Sequence, residues 1–207
     1  IRSVLAKAIE AGIPKRIGYD RDGRGFLLTD RLLPRRASIN KFIPTPTRDY
    51  YLGIARYLGA VDPDPAMQLF TSPEEQQQAD QLLAQGGFDV GGEQRLILIN
   101  PGANYGDAKM WFPDRFGLLA DRCVKELGAC VAVTGAPKEQ AIVDQVIASA
   151  TVPVINLPAL GLNLTLLKAV VRRSHLLVTN DTGPRHIAAA LGVPVVTIFV
   201  PTYPAWT

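Results

Sequence analysis

The sequence predicts an α/β chain with a doubly wound parallel sheet in its C-terminal part and an incomplete α/β domain before it. Three observations carry this expectation. Short apolar runs without alternation, such as Leu96–Ile99 and Val195–Phe199, read as strands covered on both faces, which is the habit of parallel sheets sandwiched by helices. Segments of helical periodicity separate those runs, giving the strand-helix-strand alternation of such sheets. The third is size: 207 residues, at roughly 150 per domain, make one domain and part of another.

The elements follow in order. Ile1–Ala11 has helical spacing, with Ile1, Val4, Leu5, Ala8 and Ile9 on one face and no capping residue before them. Gly12 and Pro14 end it, and Arg16–Tyr19 predicts a short strand ahead of an Arg- and Gly-rich loop. Thr47–Leu58 predicts a helix that Gly59 and the following proline pair stop. Met67–Phe70 predicts a strand, and Ser72-Pro73-Glu74-Glu75 has the N-cap, first-turn proline and acidic residues of a helix running to about Gln85. Gly86-Gly87 and Gly91-Gly92 form a hinge, so the domains are expected to span residues 1–90 and 91–207. Beyond it the pattern turns regular, with strands over Leu96–Ile99, Ala129–Val133, Val152–Ile155, Leu176–Thr179 and Val195–Phe199. Helices over Pro113–Leu127, Lys138–Ala148, Leu164–Arg173 and Pro184–Leu191 alternate with them. Five such strands with right-handed crossovers make a Rossmann-like domain.

Composition excludes several classes. With 47% hydrophobic and 20% charged residues the chain is neither disordered nor collagenous and can bury a sizeable core. Net charge is only +3, yet residues 1–48 carry 11 Lys/Arg against 4 Asp/Glu, whereas residues 49–207 carry 11 against 15. A basic first segment joined to an acidic body predicts an anionic partner for the former, provided its arginines and lysines converge. Cys123 and Cys130 have neither zinc nor disulfide spacing and read as small buried residues. No apolar run approaches a membrane span and no signal pattern opens the chain, so a cytoplasmic location is expected. The uncapped opening helix, and a last strand running into Pro201–Thr207 without a following helix, are expected marks of a piece truncated at both ends.

In an open parallel sheet ligands bind beyond the carboxyl ends of the strands. Three loops there are rich in glycine or polar residues: Asn100–Trp111, Thr134–Glu139 and Asn180–His186. In the third, Asn180-Asp-Thr-Gly-Pro-Arg-His186 directs backbone N–H groups around Thr182, Gly183 and Arg185 above the sheet, an anion site by geometry and dipole. Taken alone, Asp181 or Thr182 reads first as an ordinary N-cap and His186 as a packed helix residue. Lys109 in the first loop is placed to pair with a phosphate, or is a solvated loop lysine. Glu139, just inside a helix, either complements the helix dipole or hydrogen-bonds ribose hydroxyls. Neither a Walker loop nor the three-glycine dinucleotide fingerprint occurs, which removes support from ATPase and dehydrogenase readings.

Together with Pro194-Val-Val-Thr-Ile-Phe199, and with Ala11-Gly-Ile-Pro-Lys-Arg-Ile-Gly-Tyr19 and Leu27-Leu-Thr29 upstream, these loops resemble the family 9 glycosyltransferases, the bacterial lipopolysaccharide heptosyltransferases, in the heptosyltransferase II branch. The resemblance covers nearly the whole chain. It implies a two-domain GT-B fold, with a nucleotide-sugar held by the C-terminal domain and the acceptor entering from the N-terminal one. It implies that Lys109 contacts the diphosphate, Glu139 the ribose and Asp181 the sugar hydroxyls, while amides around Thr182 and Gly183 hold the diphosphate and His186 supports the loop. Asn104 and Tyr105 fall where other members place small hydroxyl residues near the phosphates. The implied donor is ADP-heptose and the acceptor the lipopolysaccharide inner core of lipid A, Kdo and heptose, reached at the inner face of the inner membrane through a peripheral contact. Arg24, Arg35 and Lys41 are the implied acceptor contacts, against the alternative of surface arginines paired with Asp20, Asp22 and Asp30. The chemistry is inversion without metal or other cofactor: a base deprotonates an acceptor hydroxyl, and cations and helix amides stabilise the departing diphosphate. The family's catalytic carboxylate is expected upstream of residue 1, so no base is named.

The competing expectations are a related GT-B transferase or epimerase using a UDP-sugar, and a fragment that binds nucleotide without turnover. Nucleic acid is not expected as a partner, since the basic segment lacks helix-turn-helix or zinc-finger organisation.

Overall fold

Five parallel strands form the main sheet: β5 (Leu96–Asn100), β6 (Cys130–Val133), β7 (Ile155–Asn156), β8 (Leu176–Asn180) and β9 (Val195–Ile198), in the spatial order β7-β6-β5-β8-β9. The computed structural model describes residues 2–38, 41–61, 64–103 and 110–199. They divide into two compact units, one within residues 1–65 and the other beginning at Ala66.

In the second unit the sheet is covered on both sides, as unbroken apolar runs require. Leu96 and Leu98 point to one face, where they pack with Leu177, Leu82 and Leu83 of α3 (Pro73–Gln85), Val170 and Val171 of α6 (Leu164–Arg173) and Ala188 of α7 (Gly183–Leu191). Ile97 and Ile99 point to the other, with Phe116 and Ala120 of α4 (Pro113–Leu127) and Val143 and Val146 of α5 (Gln140–Ser149). The period-2 alternation of the strand thus sorts one continuous apolar run between two cores. Cys123 is buried and Cys130 half-buried; both are free thiols, and burial pushes their pKa up from the usual thiol value.

Local chemistry sets the helix ends. Ser72 and Glu75 form a reciprocal capping box on α3, with Pro73 in the first turn. Asn163 caps α6 by accepting from Leu166 N–H at 2.9 Å, and Gly128 ends α4 in the left-handed region at φ 61°. α3 is tied to α6 by Lys168–Glu75 at 2.8 Å and Arg173–Asp80 at 3.2 Å, on top of shared apolar burial. That packing places α3 in the second unit, so the division falls at Pro65/Ala66 and the Gly86–Gly92 hinge expected from the sequence lies inside that unit.

Two expected strands differ. Met67–Phe70 is irregular, with Met67 and Phe70 exposed and no ladder partner among the described residues. The third sheet strand begins at Ile155 rather than Val152 because Pro153 cannot donate to a ladder and the Thr151 and Val152 amides donate instead to Asp121 Oδ1. Likewise α5 starts at Gln140, behind a 3₁₀ turn over Pro137–Glu139, not at Lys138.

In the first unit, α1 (Arg2–Glu10) precedes β1 (Ile17–Tyr19), which pairs in parallel with β2 (Asp30–Leu32). A small antiparallel ribbon follows, β3 (Arg36–Ser38) with β4 (Lys41–Phe42), then α2 (Thr47–Tyr57). The Tyr19 ring stacks on Tyr50 of α2 at 3.9 Å between centroids, and Tyr57 donates to Asp30 Oδ1 at 2.6 Å. Gly53 makes the stack feasible: a Cβ there would lie 2.0 Å from the Tyr19 hydroxyl.

Candidate functional site

The chain leaves β5 for β6 and β7 on one side and returns to β8 and β9 on the other, so the topological switch point lies between β5 and β8. At their carboxyl ends stand Asn100 and Asn180, both buried, in a polar network that joins the first and third loops. Asn100 Nδ2 donates to Thr179 Oγ1 at 3.0 Å and to Thr182 Oγ1 at 3.1 Å. Asn180 Nδ2 donates to the Pro101 carbonyl at 2.7 Å, and its Oδ1 accepts from Trp111 N–H at 3.1 Å. Trp111 in turn meets Phe116 edge-on at 5.0 Å, which anchors the far end of the first loop in the core. Buried amides bonded in this way hold a loop geometry closely, since each lost bond would leave a desolvated group.

Above this network opens a cleft of about 620 Å³, within the range of small-ligand pockets. One wall is the second loop, Thr134 to Pro137 with Glu139; the other is the start of α7, Thr182, Gly183 and Pro184. The floor carries Asn100, and Leu162, Leu164, Leu167 and Ile187 supply an apolar side. Glu139 Oε2 accepts from Ala136 N–H at 2.8 Å, folding the carboxylate back over its own loop and against the Cα of Gly102. Thr182 stands at the N-cap of α7, but its hydroxyl is engaged by Asn100 and makes no cap bond. Gly183 has open space where a Cβ would be. The helix therefore presents an uncapped N-terminus to the cleft, partially positive by its dipole.

Of the sequence-derived site residues, Glu139, Thr182 and Gly183 come together in this cleft. Asp181 does not line it: its carboxylate lies 3.2 Å from Arg185 Nε one turn along α7, and both side chains are nearly buried. The Arg185 guanidinium lies 5.3 Å from the Phe199 ring centroid. His186 is exposed beside Arg185, outside the cleft lining; partial desolvation and the Arg185 charge push its pKa below the usual imidazole value, against the pull of Asp181. Asn104, Tyr105 and Lys109 lie outside the described residues. Sequence reasoning gave no role to Asn100 or Asn180, though a polar residue closing an apolar strand signals both, and it missed the apolar side, which is spread over two separate segments.

The first unit has its own pocket of about 310 Å³, lined by Tyr19, Arg21, Arg35, Phe42, Tyr50 and Arg56 among others. Arg35 is where an acceptor contact was expected. Arg24 is not: it is buried, its Nε donating to the Tyr19 carbonyl at 2.9 Å and its Nη2 to the Tyr50 hydroxyl at 2.8 Å. Its guanidinium holds the aromatic stack together from within. Lys41, exposed on β4, does not line the pocket either. Arg21 and Arg56 line the pocket with Arg35; Arg21 belongs to the basic first segment, whereas Arg56 falls in the segment counted as acidic.

Among the described residues no helix is long and apolar enough to cross a membrane, and no group of three or more His, Cys, Asp or Glu is arranged to hold a metal ion. The chain is 28% identical over 211 residues to lipooligosaccharide heptosyltransferase 2 of Haemophilus influenzae, covering 95% of this chain and 57% of that protein. It thus spans little more than half the length of that relative. A glycosyl transferase family 9 structure from Veillonella parvula superposes with a TM-score of 0.77 at 24% identity, over 98% of this chain and 55% of the other. The structure of Escherichia coli ADP-heptose lipopolysaccharide heptosyltransferase II superposes with a TM-score of 0.76 at 26% identity, over all of this chain and 62% of the other. The fold is accordingly of the GT-B type, as the resemblance implied. The model of glycosyltransferase family 9, the heptosyltransferases, matches residues 3–207, and the chain belongs to that family.

Proposed function

We propose that this chain forms the donor side and part of the acceptor side of an inverting transferase that moves heptose from ADP-heptose to the lipopolysaccharide inner core. The observation that carries this reading is the cleft at the switch point, with a carboxylate on one wall, an uncapped helix N-terminus on the other and an apolar side between loops. Each part answers one part of a nucleoside diphosphate sugar. A carboxylate accepts two ribose hydroxyls; the apolar residues Leu162, Leu164, Leu167 and Ile187 suit the faces of a base; the first-turn amides of α7 suit phosphate oxygens.

In such a reaction the acceptor hydroxyl loses a proton to a base and attacks the anomeric carbon, while the bond to the diphosphate breaks and leaves negative charge on its oxygens. Donors fixed in advance by the Asn100 and Asn180 network cost no reorganisation as that charge develops, so they favour the transition state over the bound donor. Lys109 is proposed to add a full positive charge to the same oxygens. Asp181 is proposed to reach the sugar only by leaving its ion pair with Arg185, and in that arrangement Arg185 and His186 support the loop. We assign the proton-accepting base to no residue of this chain. The inner face of the inner membrane is the proposed site of action, since that is where the proposed acceptor is met.

Calorimetry of the 207-residue chain with nucleotides tests the donor reading. ADP is expected to bind and to raise the thermal midpoint, more strongly than UDP. No stabilisation by ADP, or equal stabilisation by UDP, overturns it.

A further inference from the structure

The start of α7 departs from the capping rule. Thr182 is a capping residue by type and by backbone, extended at φ −142° and ψ 179°, and an N-cap threonine ordinarily accepts from an amide two or three residues on. Pro184 has no N–H, so the amide within its reach is that of Arg185. Yet Thr182 makes no cap bond, whereas Ser72 of α3 and Asn163 of α6, also extended, accept from the Glu75 and Leu166 N–H groups at 3.2 and 2.9 Å. The cause lies on the neighbouring strand. β5 and β8 pair with Asn100 beside Thr179, and the two hydrogens of Asn100 Nδ2 go to Thr179 Oγ1 at 3.0 Å and Thr182 Oγ1 at 3.1 Å. Thr179 donates its own proton to the Asn180 carbonyl at 2.9 Å. The Thr182 hydroxyl is thus held in the network of buried residues, 3.3 Å from Thr179 Oγ1, and not on the first turn of its helix.

We propose that Asn100 is a positioning residue for the donor's diphosphate: by holding the Thr182 hydroxyl it keeps α7 uncapped and leaves the Arg185 N–H to a phosphate oxygen. The proposal rests on the donor reading of the cleft and adds to it a residue that acts through Thr182. A capping hydroxyl is tethered beside the amide and always present, whereas a ligand arrives from solution, so the cap would win that amide unless something held it off. Gly183 keeps the approach clear, with no atom within 4 Å of where a Cβ would stand.

The test is a double-mutant cycle on the 207-residue chain, Asn100→Ala with Thr182→Val, read by calorimetry with ADP and adenosine as probes. Asn100→Ala alone frees the hydroxyl to cap. ADP affinity should then fall by about tenfold, the worth of one hydrogen bond to a charged group, while adenosine affinity is unchanged. In the Thr182→Val background, which has no hydroxyl to cap with, the same substitution should alter ADP affinity by less than about twofold. Hydrogen exchange of the Arg185 amide, followed by NMR, reads the cap itself: fast in the native chain, slowed about fivefold in Asn100→Ala, and fast again in the double variant. A tenfold loss in both backgrounds, equal losses for ADP and adenosine, or an Arg185 amide already protected in the native chain without ADP would each overturn the proposal. That last measurement needs no variant, so it decides even where Asn100→Ala does not fold. ADP that fails to bind the native chain defeats the donor reading, and the Arg185 amide then still shows whether Asn100 holds the cap off. Equal ADP affinity in the native chain and Asn100→Ala defeats this proposal alone.

Discussion

Gly102 offers a way to move the Glu139 carboxylate without altering it. A Cβ built on Gly102 would lie 2.3 Å from Glu139 Cδ and 2.4 and 2.5 Å from its two oxygens. Ordinary contact needs 3.4 Å or more, so in Gly102→Ala the carboxylate retreats by at least about 1 Å. The end of a flexible side chain can do this cheaply. What is lost locally is the bond from Ala136 N–H at 2.8 Å, in an exposed turn where water replaces it, so the stability cost is about 0.5–1 kcal/mol. The effect on binding is larger. If Glu139 accepts ribose hydroxyls, a charge-assisted bond worth about 1.5–3 kcal/mol is at stake, and ADP affinity falls by a factor of ten or more. Calorimetry on Gly102→Ala, Glu139→Gln and the double variant reads this directly. Residues acting through one carboxylate are non-additive, so the double variant should bind ADP no worse than the weaker single one. Unchanged ADP affinity in Gly102→Ala, or full additivity, would refute the placement of ribose at Glu139.

Two further outcomes test the frame that carries the site. Asp121 accepts from the Thr151 hydroxyl and amide and from Lys125, and these bonds, the Thr151 hydroxyl foremost, hold its pKa at about 2, below the ordinary 3.8. A depressed carboxyl stabilises the fold above its ordinary value and loses that contribution as pH falls through its folded value. Thermal midpoints of the native chain and Asp121→Asn should therefore differ at neutral pH and converge between pH 4 and about 2; a constant difference across that window would contradict the assignment. For Gly117→Ala in α4, helix propensity favours alanine by about 1 kcal/mol. The new Cβ, however, would meet backbone atoms, Ser149 C at 2.8 Å and Ala150 N at 3.0 Å, which cannot swing aside. Overpacking should win, for a net destabilisation of about 1–2 kcal/mol by denaturant titration, and a more stable variant would show that α4 and α5 separate easily.

What was legible in the sequence divides along physical lines. α4 and α6 fall at the expected residues because their stop and start signals act locally: Pro113 in a first turn, Gly128 in the left-handed region, Asn163 as a cap. β2, β3 and β4 went unseen because runs of two or three residues carry no periodicity, and their pairing is decided by neighbours brought close in the fold. Val152 was assigned to a strand on its apolarity, yet Asp121, 31 residues earlier, captures its amide. The site behaves alike. Loop positions at strand ends located Glu139, Thr182 and Gly183, since backbone geometry alone puts them there. Side-chain direction is a matter of partners: Asp181 turns to Arg185 at i+4, and Arg24 turns inward to two tyrosines.

Charge distinguishes the linings of the two pockets. Among the described residues, the donor cleft is lined by one carboxylate and no lysine or arginine. A helix N-terminus is equivalent to about half a positive charge, which does not balance a diphosphate. The proposed donor reading therefore sets Glu139 against the neutral ribose, away from the phosphates, and asks Lys109 of the first loop for the full cation. The pocket of the first unit differs, with Arg21, Arg35 and Arg56 on its lining, Asp49 beside them and Asp22 3.6 Å from Arg21. On the proposed donor reading, backbone dipoles that strengthen as water leaves and as charge develops suit a departing diphosphate.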